Sequence, residues 1–233
     1  RARGLWPEGT GDAPVYAPQP SVGSPDHDAV ERRRRAQELW LKAMPARGTL
    51  VETYLRARGI RAAAPDALRF MPSLHHSPSG TAWPAMIAAI ASPGGAVFAV
   101  QRTWLARDGR TKSPVEPNKM TLGPMDDGAV RFGSPLSTLG LAEGIESALS
   151  AKQIYSLPVW AVLGCNRFEA VAIPETVETV VIFADRGAAG WKAAEAAAIK
   201  FEREGRAAEI LLPQSRDARD FNDELRIRAE RAA

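Results

Sequence analysis

The sequence predicts an α/β protein: a parallel sheet flanked by helices over residues 135–233, preceded by a smaller α+β unit over residues 29–134. Three observations carry that prediction. From Leu136 onward, short apolar runs alternate with helical patterns, the signature of parallel strands joined by crossover helices. Between Trp83 and Phe132 the pattern is strand, tight turn, strand, which suits an antiparallel sheet. The apolar runs of the second half also end on acidic residues, Glu143 in "LAEGIES" and Asp185 in "VVIFADRGAAG".

The elements follow in order. Residues 1–28 hold proline, glycine and polar residues with little periodicity, and read as a linker or loosely attached arm. Because the chain opens on Arg1 rather than methionine, a segment upstream is expected. "DAVERRRRAQELWLKAM" predicts a helix capped by Asp28, with Val30, Leu39 and Trp40 on its apolar side and the Arg32–Arg35 run on its solvated face. "GTLVETYLRARGI" predicts a second helix that gathers Leu50, Tyr54 and Leu55 and stops at Gly59. "ALRFMP" reads as a short strand, after which His75 and His76 fall in a proline-rich surface loop. "PAMIAAIA" and "AVFAVQRTWLA" are strands joined by the turn "SPGG", with "RDGR" as the next turn and Trp104 in the core. "GPMDDG" is a turn and not a phosphate loop, since no G-K-[ST] follows.

In the second half "STLGLAEG", "LPVWAVLG", "TVVIFAD" and "AAEILLP" are the strands. "IESALSAKQI", "NRFEAVAI" and "AAGWKAAEAAAIKFERE" are the helices between them, the last with Trp191, Ala194, Ala198 and Phe201 on its buried stripe. Cys165 reads as a small buried residue. A hydrophobic fraction of 45% and a charged fraction of 24% are ordinary for a globular chain. Of its 30 basic residues 24 are arginine, the side chain best suited to phosphate, but a net charge of +3 does not by itself demand a nucleic-acid partner. The lone cysteine excludes internal disulfides and cysteine-rich zinc fingers. With no apolar run of membrane-spanning length and no signal-peptide pattern, a cytoplasmic protein without a membrane partner is expected.

Ligands of open parallel sheets bind beyond the carboxyl ends of the strands. Glu143, Asp185 and the cluster Asp217, Asp220 and Asp223 in "RDARDFNDEL" bring carboxylates from three segments to that edge. Such oxygens suit Mg2+ or Mn2+, which take one or two carboxylates and complete their shell with substrate phosphates. Glycines beside the acids, Gly144 and Gly190, allow close approach by a phosphate or by the next helix. Each acid alone reads equally well as a turn or helix-cap residue, with Asp220 or Asn222 in that role for "DFND". Together they point to a shared site.

"LAEGIES", "VVIFADRGAAG" and "RDFNDEL", in that order on this framework, resemble the Toprim domain of primases, topoisomerases and related nucleases. The nearest likeness is to the primase-like Toprim proteins of phages, plasmids and integrative elements. It reaches back more weakly through "YLRARGI", "LRFMP", "WPAMIAAI" and "VQRTWLARDGRTK". The resemblance implies a Toprim-like sheet behind a primase-type subdomain. Glu143 would be the glutamate that polarises or moves protons beside the metal, and Asp185 the first aspartate of the D-x-D motif. The metal set would be Glu143, Asp185, Asp220 and Asp223. The second aspartate of D-x-D falls on Gly187, and Ser147 stands where many primases carry an aspartate, with Glu146 or the "DFND" acids left to compensate. Arg102, Lys112, Lys119 and Arg131, with Arg107 and Arg110 nearby, would hold template backbone or triphosphate beside Gly144 and Gly190. The implied activity is that of a metal-dependent DNA primase-like nucleotidyltransferase, making short primers on single-stranded DNA in mobile-element replication. Its partners would be the template, nucleoside triphosphates and a replicative helicase, with a zinc-binding template reader upstream. The alternatives are a Toprim-type metal-dependent nuclease and a degenerate Toprim module that binds DNA without catalysis.

Overall fold

A computed structural model describes residues 27–232. Apart from His27 and Asp28, the arm expected over residues 1–28 lies outside the described residues. The first half builds one antiparallel sheet in the order β1 (Met44–Pro45), β2 (Leu68–His76), β3 (Thr81–Ala91), β4 (Val97–Trp104), β5 (Lys119–Leu122). Helix α1 (His27–Lys42) covers one face, where Ala85, Ile87, Val100 and Trp104 pack with Ala36 and Ala43. Met86, Ala88, Ile90 and Ala99 point the other way, towards α2 (Leu50–Ala57). That alternation is the period of two of a strand buried on both faces. Thr49 caps α2 by accepting from the Val51 amide at 3.2 Å. Gly59, at φ +81°, ends it as the left-handed residue after the last turn.

The second half is a five-stranded sheet in the order β10 (Ala207–Leu211), β9 (Thr179–Phe183), β7 (Thr138–Ala142), β8 (Val159–Ala161), β6 (Val130–Phe132). All pairs are parallel except β6 with β8. Helices α3 (Ile145–Tyr155) and α5 (Phe221–Arg231) lie on one face and α4 (Ala188–Arg203) on the other. Leu139, Leu141, Val180 and Ile182 pack with Ala194, Ala197 and Phe201 of α4. Val181 and Phe183 turn to the opposite face, where they join Ile145, Ala148 and Phe221 in a core shared with the first sheet. β6 carries the chain into the second sheet just ahead of the expected boundary near residue 134, and a bridge between Ala91, at the end of the central strand β3, and Ala129 ties the two sheets together. Among the described residues no helix is long and apolar enough to cross a membrane.

Several local expectations fail: Val30, expected on the apolar side of α1, is 59% exposed, and Asp28 lies within the first turn of α1 rather than capping it. β2 runs on to His76, which is fully buried rather than in a surface loop. Its ring packs edge-on to Trp104 at 4.8 Å and meets the Ser79 hydroxyl at 2.8 Å and the Pro117 carbonyl at 3.0 Å. The segment "NRFEAVAI" is only a 3-10 turn over Cys165–Arg167, because Arg167 is drawn into bonds to the carbonyls of Val162, Asp126 and Gly128. Cys165 is accordingly half-buried. Trp191 sits in the first turn of α4, beyond the end of β9, and is 40% exposed, so Ala197 replaces it on the buried stripe.

Gly140, in the middle of β7, is set by packing. A Cβ there would stand 2.6 Å from the Phe183 ring and 2.8 Å from Val159. Gly140→Ala is therefore expected to destabilise the protein by about 1–3 kcal/mol through overpacking, measured as a shift in the urea unfolding midpoint.

Candidate active site

Register builds the site. Ala142 pairs with Phe183 across β7 and β9, so Glu143 and Asp185 leave the sheet side by side at its carboxyl edge. Here β7 sends its crossover to β8 on one side, while the chain returns to β9 on the other, which makes this the topological switch point of the sheet. A cleft of about 220 Å³ opens there, its floor formed by Glu143, Asp185, Asp220 and the first turn of α3. Gly144 caps α3 without any side-chain bond, and the first turn of that helix lines the cleft, an arrangement that favours anions.

Asp185 carries the electrostatic tension. Burial pushes its carboxyl up to about 7, and the charges of Glu143, Asp220 and Asp223 add to the effect, while Lys119 pulls the other way. Its Oδ1 is buried and has no hydrogen-bond partner. A buried, unpartnered carboxylate oxygen among like charges is the environment that a cation relieves. Among the described residues no group of three His, Cys, Asp or Glu side chains is gathered closely enough to enclose a metal. The donor set thus fits a hard cation taking Asp185 and Glu143 and completing its shell from substrate phosphates, the habit of Mg2+.

Asp220 lines the cleft while also capping α5, its Oδ1 accepting from the Asp223 amide at 2.8 Å. Asp223 lies one turn further on and accepts from the Arg219 amide at 3.2 Å. Asn222, fully buried, donates to the Arg58 carbonyl at 2.7 Å and to the Ser150 hydroxyl at 3.0 Å, pinning α5 to α2 and α3. Asp217 is exposed and stands apart.

The opposite wall comes from the first sheet and α2: Arg58, Gln101, Lys112 and Lys119. Two sequence candidates do not reach it. Arg102 follows Gln101 on β4 and so points to the α1 face, its guanidinium 5.3 Å from the Trp104 ring. Arg131 donates to the carbonyls of Ser92 and Pro93 at 2.7 and 2.6 Å and stacks on Trp160, a structural post at the joint between the sheets. Arg107 lies over Trp83. Lys112 and Lys119 do reach the cleft, and Arg58, missed in the sequence, joins them from the end of α2. Its only sequence signal was its position in "YLRARGI".

Glu146 joins the two walls. Its carboxylate accepts from the Tyr54 hydroxyl at 2.5 Å and pairs with Lys112 at 2.9 Å. Burial alone would raise its pKa, but Lys112 and Tyr54 outweigh burial and hold it at about 2. Glu146 is therefore already neutralised by protein and is not a spare carboxylate for a metal. The two glycines near Asp185 differ in their reasons. A Cβ on Gly190 would lie 2.8 Å from the Asp185 carbonyl, so this glycine serves the approach of α4 to the strand end. Gly187 faces open space at φ +148° and ψ 154°, a backbone region essentially reserved for glycine.

Residues 138–230 match the Toprim domain family, and residues 30–132 match a family described as a domain of unknown function (DUF7146). The fold is similar to the DNA primase domain from Pseudomonas aeruginosa, with a TM-score of 0.56 at 15% identity over 86% of this chain and 77% of that one. The Aquifex aeolicus primase (zinc-binding and RNA polymerase domains) gives 0.55 at 14% identity, covering 89% of this chain and 59% of that one. The DnaG primase catalytic domain bound to ssDNA gives 0.54 at 13% identity, covering 88% and 77%. No curated relative matches the chain.

Two outcomes follow. Asp185 binds its proton more tightly in the folded chain (about 7) than at its ordinary value of 3.8, so its contribution to stability is full below pH 3.8 and is lost as pH rises through 7. Asp185→Asn should therefore melt higher than the native metal-free chain above about pH 7, with the gap closing as pH falls towards 4. Gly187→Asp should cost about 1–3 kcal/mol in urea unfolding, because an aspartate cannot adopt this backbone without strain.

Proposed function

From a Toprim domain at residues 138–230 on a primase-type fold, we propose that this chain is a DNA primase-like nucleotidyltransferase that joins nucleotides into short primers on single-stranded DNA. The observation that carries the proposal is the meeting of opposite charges in one cleft. Glu143, Asp185 and Asp220 form the sheet-edge wall, and Arg58, Lys112 and Lys119 form the wall from the first half of the chain. A carboxylate floor facing a cationic wall is what a phosphoryl transfer on a polyanion requires.

Asp185 and Glu143 would hold Mg2+ or Mn2+, whose charge would neutralise the phosphates and the developing oxyanion. Lys119 and Arg58 bind phosphate oxygens by charge, and the amino-terminal end of α3 favours a further oxygen. A primer 3′ oxygen attacks the α-phosphorus of the incoming nucleotide, pyrophosphate leaves, and Glu143 takes the hydroxyl proton. Lys112, held by Glu146, keeps the cationic wall at a fixed distance from this floor. The setting follows from the sequence resemblance: replication of a phage, plasmid or integrative element, alongside a replicative helicase.

The second reading is a Toprim module that binds DNA without catalysis. Gly187 favours it, since the backbone there has no room in φ,ψ space for a carboxylate-bearing residue without strain. One assay separates the readings: incorporation of labelled nucleotides on a single-stranded template with Mg2+ or Mn2+. The native chain should give short products, and Glu143→Gln and Asp185→Asn should each lower the yield by on the order of 10²–10⁴-fold. Nicked template without synthesis would mark a nuclease. Bound template with neither product nor nicks would mark the binding module.

A further inference from the structure

Beside the carboxylate cleft, and sharing Arg58 and Lys112 with it, lies a second cavity of about 500 Å³ with no acidic residue in its lining. Arg58 from the end of α2, Arg110 and Lys112 from the loop after β4, and Arg226 from α5 converge on it, so three separate segments contribute cations. Arg58, Arg110 and Arg226 make no ion pair among the described residues, and only Lys112 is offset, by Glu146. Uncompensated like charges gathered round one concavity focus a positive potential there, which attracts anions. Two orphaned polar atoms point the same way. The Ser113 hydroxyl, on a residue 3% exposed that lines the cavity, has no hydrogen-bond partner, and neither has the buried Nε of Arg58. A buried donor without an acceptor is costly unless a ligand supplies one.

We propose that this cavity is a polyphosphate subsite, distinct from the metal-bearing cleft, that takes the di- or triphosphate end of a nucleotide or of a strand with a 5′ triphosphate. Charge density selects this ligand over a passing backbone. A diester strand spreads one charge per nucleotide along its length. A polyphosphate concentrates several charges within a few ångströms, which matches cations converging from three directions. Guanidinium forks suit the clustered terminal oxygens, and the Ser113 and Thr111 hydroxyls add uncharged donors. The wall shared through Arg58 and Lys112 sets a bound polyphosphate next to the reaction cleft, so the subsite holds the 5′ end of a nascent product, or its first nucleotide, while the 3′ end is extended. This placement rests on the primase reading, whereas the binding claim does not.

The test is isothermal titration of tripolyphosphate into the full chain with EDTA present, so that neither metal nor catalysis contributes. Arg226 is exposed and unpaired, so Arg226→Ala should keep the native melting temperature, as should Arg110→Ala. Each should weaken tripolyphosphate binding about tenfold or more. Asp185→Asn, altered only in the other cleft, should bind it undiminished. Oligonucleotides then identify the source of the phosphate: Arg226→Ala should lose affinity for a 5′-triphosphate strand and keep it for the same strand with a 5′ hydroxyl, and competition by ATP would add the free nucleotide. Absence of tripolyphosphate binding to the native chain, affinity unchanged in both arginine variants, or equal losses for the two strands would overturn the proposal. If primer synthesis fails while these losses are seen, the subsite stands and the primase reading falls.

Discussion

The in-register pairing of β7 with β9, from Thr138 opposite Thr179 to Ala142 opposite Phe183, is the constraint on which the site depends. Each strand stops after five residues, β7 on Ala142 immediately before Glu143 and β9 on Phe183, two residues before Asp185. Two segments distant in sequence thereby deliver like charges to one edge, where burial leaves little water to screen them. Burial first, and the neighbouring acids after it, raise the pKa of Asp185. Slipping the register by one residue would turn Leu139 and Leu141 out of the α4 core, so the apolar packing that stabilises the sheet also fixes the spacing of the acids.

The second half of the chain supplies only one wall. The other comes from the antiparallel sheet and α2, and Glu146 links the two. Its carboxylate spends its charge on Tyr54 and Lys112, residues of the first half, while its neighbours on α3 open towards the cleft. Asn222 makes a comparable link through uncharged donors, bonding the Arg58 carbonyl and so steadying the residue whose guanidinium serves both cavities. Buried polar groups satisfied across two packed units fix relative geometry more sharply than apolar contact does. The cleft and the subsite beside it are thus products of the join between the halves.

Much of this was legible in the sequence. The strand–helix alternation, the antiparallel pairs around Gly94-Gly95 and the acids at strand ends all follow from periodicity and turn chemistry, which act within a few residues. What escaped was set by side-chain direction and by distant partners. Arg102 and Gln101 are adjacent in sequence, and only the position of α1 decides which of them faces away from the cleft. His76 reads as a loop residue because nothing local announces a bulged strand that runs on to it and sets its ring against Trp104 of β4. Arg131 had the right charge in the right region, but the carbonyls of the turn at Ser92 and Pro93 hold it. Arg226, far from the other cations in sequence, reaches them through α5.

Gly187 and Glu146 bear on the same question from opposite sides. A site of this kind could replace a missing carboxylate with another one nearby, and Glu146 is the obvious substitute by position. Its pKa near 2 argues against that role, since a carboxylate already satisfied by a phenol and an ammonium has little to gain from a metal. Asp223 is similarly engaged, by Arg219. That leaves Asp185, with an unpartnered buried oxygen, and Glu143 beside it at the strand end. Two such carboxylates would suit one hard cation that also holds phosphate. The balance of charge on the other wall fits the same count, because the ammonium of Lys112 already stands beside the acid that a further ion would need.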